Sequence, residues 1–167
     1  MELTDAERLI LSNQYQILAK LDNDEHYALM AETLRRGYKW LYDEYLEQSL
    51  WPNVDDDKAE FVVDVLDLYS TLKASYSELE DKSGIEAREV KFPGFDGNNE
   101  GDLMGFANFL LKHGRFDDVL NKGGNNSHMP TVEIYRRMLQ AWRDMGEPAY
   151  PYSKEQIRQL LDARKYR

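Results

Sequence analysis

Apolar side chains recur at intervals of three and four residues along most of this chain, and this period constrains the fold more than any other feature. In an α-helix such spacing places the side chains on one wide face, as in a helix at the centre of a domain. We predict the clearest such helix over residues 58–80, with acidic residues 55–57 at its N-terminus and Gly84 as its C-cap. Its apolar members are Phe61, Val62, Val65, Leu68, Tyr69, Leu72, Tyr76 and Leu79.

Short sequences typical of helix ends divide the rest of the chain. "TDAE" at 4–7 and "SKEQ" at 153–156 are capping boxes, in which the first and fourth residues satisfy each other's free backbone N–H groups. "DNDE" at 22–25 ends one helix and caps the next, and "WPN" at 51–53 is a stop. The apolar pattern continues across Gly37, but a glycine favours a helix end, so we predict a break there.

The first helix carries a broad apolar stripe with one polar side chain inside it. The stripe consists of Ala6, Leu9, Ile10, Ile17, Leu18 and Leu21. Asn13 falls within it, and a buried asparagine needs partners for its amide. We predict that Asn13 is buried and joins two helices; a contact to a ligand is the alternative.

These patterns predict an all-α fold, a single-domain helical bundle of about six to eight helices over residues 1–167 with two long polar loops. A sub-boundary is possible near residue 84, between a helical front half (1–84) and a loop-rich back half (85–167). "REVKF" alternates at Val90 and Phe92 and predicts a short extended segment, but no second run offers a strand partner, so we predict no sheet.

Composition excludes several classes of protein. The net charge of −10 opposes binding to nucleic acid. No run of about 18 apolar residues exists, and the N-terminal segment is acidic where a signal peptide is basic, so we predict a cytoplasmic protein that does not bind membranes. The chain has no cysteine, which rules out disulfides and thiolate zinc sites. We expect no metal and no cofactor.

The stretch "FPGFDGNNE" at 92–100 interrupts the helices. As a calcium loop beginning at Asp96 it fails, because Ala107 occupies the position that requires a bidentate glutamate. We favour a structural role, in which Phe92 and Phe95 anchor the loop to the core and Asn98 or Asn99 caps a helix that begins near Gly101.

A polar ligand site is the alternative role for this loop. If loops 93–100 and 121–130 meet, their polar side chains and nearby arginines line one pocket. His128 is then the only side chain suited to general base catalysis near neutral pH. The candidate ligand-binding residues are Asp96, Asn98, Asn99, Arg115, Asn126, His128 and Arg136.

Several long strings resemble the YfbU family of bacterial proteins. They are "LTDAERLILSNQYQIL", "YSTLKASYSEL", "FPGFDGNNE" and "YRRMLQAW", and the resemblance covers nearly the whole chain. It implies a small, cytosolic, mostly helical protein. It implies no catalytic motif, because the family's biochemical role is not established.

Two classes of function remain open. The first is a non-enzymatic interaction or regulatory protein that forms a homo-oligomer or binds another protein. Aromatic side chains predicted to be exposed favour it: Trp40, Tyr42, Trp51, Tyr150 and Tyr152. The second is a small-ligand-binding protein or enzyme that uses the two polar loops. We favour the first class, because no spacing in the chain requires catalysis.

Overall fold

The computed structural model describes residues 2–50 and 54–165, and this part of the chain contains seven α-helices and no strand. The prediction of an all-α fold is confirmed. The helices are α1 (Asp5–Asp22), α2 (Glu25–Arg36), α3 (Lys39–Ser49), α4 (Asp56–Glu78), α5 (Gly101–Lys112), α6 (Val132–Asp144) and α7 (Lys154–Asp162). The stop predicted at 51–53 lies outside the described residues.

The chain divides into two compact units, Met1–Asn53 and Val54–Arg167. We call them unit 1 and unit 2. The sub-boundary considered near residue 84 falls inside unit 2. The single domain over residues 1–167 stays a prediction.

Unit 1 begins with a hairpin of two helices. The capping box at Thr4 and Glu7 starts α1 as predicted, and the turn at Asn23 and Asp24 leads directly into α2. The Ser12 hydroxyl donates to the Ala31 carbonyl oxygen at 2.8 Å, so small side chains bring the two helices close together. The core of this unit is formed by Met30, Leu34, Tyr42 and Leu46.

Gly37 ends α2, which confirms the predicted break. Its φ of 73° lies in the left-handed region, where a glycine carries no steric penalty. Its N–H group bonds back to the Leu34 carbonyl oxygen at 3.2 Å, and α3 starts two residues later.

The apolar stripe of α1 faces outward from unit 1. All of its large members are exposed, and the prediction that Asn13 is buried was wrong. The Asn13 Oδ1 atom instead accepts a hydrogen bond from Arg35 Nη2 at 3.3 Å on the surface. α1 packs on α2 with its opposite side, on which Ser12 is completely buried and Leu11 and Tyr15 pack against the core of unit 1.

Unit 2 is built around α4. The acids predicted at its N-terminus are there, and the Asp55 side chain caps it by accepting from the Lys58 N–H at 2.8 Å. The prediction that Gly84 caps its C-terminus was wrong, because α4 ends at Glu78. The Asp81 carboxylate accepts from the Ser83 N–H at 2.9 Å and forms a separate turn that contains Gly84.

α5, α6 and α7 contribute to the core around α4, together with the segment between Ile85 and Phe95. The prediction of an extended segment at "REVKF" was wrong, because two consecutive turns occupy this stretch. Val90 and Phe92 are nevertheless buried, since the turns also direct alternate side chains inward. The capping box at Ser153 starts α7 as predicted.

Candidate functional site

The two polar loops meet in unit 2, as the ligand-site hypothesis requires. The Ser127 N–H donates to the Phe95 carbonyl oxygen at 3.2 Å, and the Gly97 N–H donates to Asn126 Oδ1 at 3.2 Å. Asn125 adds a side-chain bond of 2.8 Å to the Phe92 carbonyl oxygen. Loops 93–100 and 121–130 therefore form one junction, which we call the loop junction.

Glu100 is the centre of the loop junction, although the sequence did not mark it. Its Oε1 atom accepts from the N–H groups of Thr131 at 2.7 Å and Val132 at 2.9 Å, at the start of α6. Its Oε2 atom accepts from the Asp96 N–H at 2.9 Å and from the Thr131 hydroxyl at 2.8 Å. This buried carboxylate thus caps α6 from 31 residues away in the sequence. In most helices the side chain at the N-cap position, which is Thr131 in α6, accepts these bonds.

The electrostatics of Glu100 follow from these bonds. Burial acts to raise the pKa of Glu100, but the hydrogen bonds from Asp96, Val132 and Thr131 outweigh it and hold the pKa below its ordinary value. The group is therefore ionised at neutral pH, with both oxygen atoms engaged by the protein.

Asp96 is also held by hydrogen bonds within the protein. Its side chain is only 2% exposed, and its carboxylate accepts from the Asn98 N–H at 3.1 Å and from the Asn99 side chain. The bonds from Asn99 and Asn98 lower the pKa of Asp96. The prediction that Asn98 or Asn99 caps the next helix was wrong, because Glu100 occupies the N-cap position. Both asparagines instead donate hydrogen bonds to Asp96.

Aromatic side chains close the inner side of the loop junction. Phe92 and Phe95 are buried as predicted, and they pack edge to face with Tyr69 and Tyr135. The Tyr135 hydroxyl donates to the Gly94 carbonyl oxygen at 2.5 Å. Burial raises the pKa of Tyr69 to about 12 and raises the pKa of Tyr135 as well, so neither hydroxyl ionises near neutral pH.

Asn126 and His128 also lie at the loop junction. Asn126 accepts from the His128 N–H at 2.9 Å, and His128 is exposed with a positive φ of 55°. The structure thus brings five of the seven candidates together at the loop junction: Asp96, Asn98, Asn99, Asn126 and His128.

The two arginines lie elsewhere. Arg115 follows the C-terminus of α5, a helix of 12 residues whose other end, about 18 Å away, carries the loop junction. It lies over the Phe116 ring. Arg136 lies over the Phe61 ring and pairs with Glu133 at 3.0 Å.

Arg136 also lines a cleft of about 480 Å³ between α4 and α6. The α4 wall carries three carboxylates (Asp57, Glu60 and Asp64), and Arg143 stands with Arg136 on the α6 wall. Arg143 lies 3.8 Å from Asp64. Burial raises the pKa of Asp64, and Arg143 opposes that rise. The opposite charges of the two walls compensate each other.

A different kind of candidate lies on unit 1. Ten of its large apolar side chains are exposed: Leu9, Ile10, Ile17, Leu18, Leu21, Leu29, Tyr38, Trp40, Leu41 and Leu50. Five of them belong to α1, and Leu21 and Trp40 are 74% and 75% exposed. Soluble monomers seldom leave large contiguous apolar surface in water, so the five side chains that share one side of α1 mark a candidate interaction surface.

The aromatic residues predicted to be exposed divide into three groups. Trp40 and Tyr150 are exposed, whereas the prediction was wrong for Tyr42 and Tyr152, which belong to the cores of the two units. Trp51 lies outside the described residues. The error arose because the sequence does not show which side of a helix other parts of the protein cover.

Residues 2–50 and 54–165 contain neither a candidate metal cluster nor a helix that could span a membrane. They contain no group of three or more His, Asp or Glu side chains arranged to hold a metal ion. None of their helices combines the length and the apolar character needed to cross a bilayer.

Comparison with known proteins agrees with the resemblance noted from the sequence. A family model described as the YfbU domain matches residues 1–163. A UPF0304 protein of Methanocaldococcus jannaschii is 32% identical over 168 residues, which cover 96% of this chain and 99% of the relative. Neither description names a ligand, a substrate or a reaction.

Proposed function

The chain belongs to the YfbU family, and we propose that it works as a non-enzymatic protein that self-associates through the apolar surface of unit 1. The observation that carries this proposal is the outward stripe of α1. An amphipathic helix normally turns its apolar face toward the core, but in α1 this face is exposed.

Burial of that stripe supplies the driving force for association. Each Å² of apolar surface removed from water contributes about 25 cal/mol, so five large aliphatic side chains on one helix form a substantial interface core. A second copy of the chain presents the same stripe, and two-fold dimers are the commonest soluble oligomers.

We do not assign the association to the basic residues near the C-terminus. Lys154 pairs with Asp81 at 2.5 Å, Arg158 donates to the Ser83 carbonyl oxygen at 3.2 Å, and Arg164 donates to the Glu89 carbonyl oxygen. Their partners all lie within unit 2, so these charges are already paired within one copy, and we assign the association to apolar contacts of unit 1.

The alternative is a ligand-binding protein or enzyme that uses the loop junction. The meeting of the two loops favours it, but the Asp96 and Glu100 carboxylates are already occupied by donors of the loops. A ligand would have to replace those bonds. The alternative predicts that a retained small molecule disappears when Asp96 or His128 is changed to alanine.

Native mass spectrometry and light scattering after size exclusion test the proposal together. The test variant carries Ile10→Lys and Ile17→Lys, which place two charges in the stripe. The matched control is Phe109→Lys in α5, because Phe109 and Ile10 are both 56% exposed. Circular dichroism verifies that both variants retain their helices.

We expect an oligomer for the unchanged protein and for Phe109→Lys, and a monomer for the double variant. A monomeric unchanged protein at micromolar concentration overturns the proposal. An oligomer that persists in the double variant also overturns it, because the stripe would then not be the interface. An added mass lost in Asp96→Ala or His128→Ala would favour the ligand-binding alternative.

A further inference from the structure

The outward stripe of α1 has a symmetry of its own. Its members near the centre line are Ala6, Ile10, Asn13, Ile17 and Leu21. At 100° per residue they fall within one narrow sector of the helix. Ile10 and Ile17 lie at equal distances on either side of a point between residues 13 and 14, and so do Ala6 and Leu21.

We infer that α1 binds α1 of a second copy in an antiparallel pair whose two-fold axis passes beside Asn13. This inference rests on the proposed self-association and specifies its geometry. The axis brings Ile10 of one copy against Ile17 of the other. It likewise sets the small Ala6 against the large Leu21, so the two stripes fill each other's gaps.

Charge favours the antiparallel direction over the parallel one. Asp5 and Lys20 lie at opposite ends of α1, 15 residues apart, and therefore about 60° apart around the helix on the same side of the stripe, with Lys20 the nearer of the two. The antiparallel pair places Asp5 of one copy, which also pairs with Arg8 of its own helix at 2.5 Å, on the same side as Lys20 of the other copy. A parallel pair would separate Asp5 and Lys20 of the two copies by nearly the length of α1, so this attraction would be lost.

Asn13 then lies near its own equivalent at the centre of an apolar interface. An asparagine amide both donates and accepts, so two copies related by a two-fold axis satisfy each other. The Oδ1 atom has two lone pairs, of which Arg35 Nη2 occupies one at 3.3 Å. Gln14, on the other side of the axis, can bond to its own equivalent in the same way. Polar residues in an apolar seam favour one register of paired helices, because a shift leaves their amides without partners.

The absence of cysteine from the chain permits a direct test. A single introduced cysteine can form a disulfide only with a second copy. Across two packed helices, facing Cα atoms lie roughly 5 Å apart, which suits a disulfide. The variants are Asn13→Cys, Ile10→Cys and Ile17→Cys, with Glu32→Cys on exposed α2 surface as the control for random collision.

The antiparallel register makes a distinct prediction for each variant. Asn13→Cys should cross-link with itself in a glutathione redox buffer, well above the Glu32→Cys background. Ile10→Cys should not cross-link with itself, because its equivalent is displaced by about 10 Å along the helix. A mixture of Ile10→Cys and Ile17→Cys should cross-link. Non-reducing electrophoresis and mass spectrometry identify the products.

The outcomes separate this inference from the proposed function. If Ile10→Cys, Asn13→Cys and Ile17→Cys all cross-link with themselves, the pair is parallel and the inference is wrong. It is also wrong if the unchanged protein is oligomeric but none of the variants, single or mixed, exceeds the control. In both cases self-association stands. A monomeric unchanged protein instead removes the proposed function and the inference together.

Discussion

Unit 1 and unit 2 are both built from amphipathic helices, but they differ in how much of the apolar helix surface they bury. Unit 2 directs the apolar faces of its helices into a core that also includes Phe92 and Phe95, and only three of its described large apolar side chains are exposed: Phe109, Met129 and Tyr150. Unit 1 exposes ten such side chains around a much smaller core. The apolar pattern thus identifies helices in both units, but only the fold reveals which faces are already covered.

This contrast assigns different tasks to similar residues. In unit 2, an apolar side chain is a structural element, and changing it should destabilise the chain. In α1, a similar side chain is available to a partner, and changing it should affect assembly rather than folding. Substitutions in the two units should therefore differ in whether they reduce stability or assembly.

The largest effect is expected at Phe95, which is completely buried in the aromatic cluster of unit 2. Phe95→Ala leaves a cavity and should lower the free energy of unfolding by about 3–5 kcal/mol. Phe109→Ala, at an exposed position of the same unit, should change it by less than about 0.5 kcal/mol. Urea unfolding at one fixed protein concentration measures both, and equal effects would contradict the assignment of Phe95 to the core.

A somewhat smaller effect is expected at Glu100. Glu100→Ala leaves several buried donors without an acceptor, and each such loss costs about 1–3 kcal/mol, partly recovered by entering water. We expect a loss of about 3 kcal/mol. The matched control is Glu133→Ala in α6, whose exposed pair with Arg136 contributes at most about 1 kcal/mol. Urea unfolding with no difference between the two variants would refute the capping role.

Acid should weaken unit 2 through the same carboxylate. The pKa of Glu100 is lower in the folded protein than its ordinary value, so its contribution is present at neutral pH and is lost as pH falls below about 4 toward the folded pKa. Glu100→Gln removes this titration. The melting temperatures of the two proteins should therefore converge as pH falls from 7 to 3, and a constant difference would contradict the prediction.

The smallest effect on folding is expected in α1. Ile17→Lys replaces a side chain that is 58% exposed, so the free energy of unfolding of the isolated chain should change by less than about 0.5 kcal/mol. The oligomer should nevertheless dissociate. Urea unfolding at high dilution, compared with light scattering at high concentration, separates the two quantities. A large loss of stability at high dilution would show that Ile17 belongs to the fold of unit 1.

Local features of the fold could be predicted from the sequence. The capping boxes at Thr4 and Ser153 and the helix end at Gly37 depend on residues within four positions of one another. The sequence also indicated that Phe92 and Phe95 are buried, because two aromatics in a polar loop have few other roles.

Features that depend on distant residues could not be predicted. Nothing near Thr131 indicates that Glu100 caps α6, since the two are brought together only by the packing of both loops. Asn13 was placed in the core because periodicity identifies an apolar face without showing what covers it. The same limit explains why Tyr42 and Trp40, two residues apart on α3, have opposite environments.

The bonds of Glu100 close a ring of chain between the start of α5 and the start of α6, in a protein that has no cysteine for a covalent bridge. A disulfide at this place would restrict the unfolded chain as well as the folded one. The carboxylate restricts only the folded chain, because its donors are collected by the native packing. Protonation of Glu100 therefore weakens this closure without any covalent change.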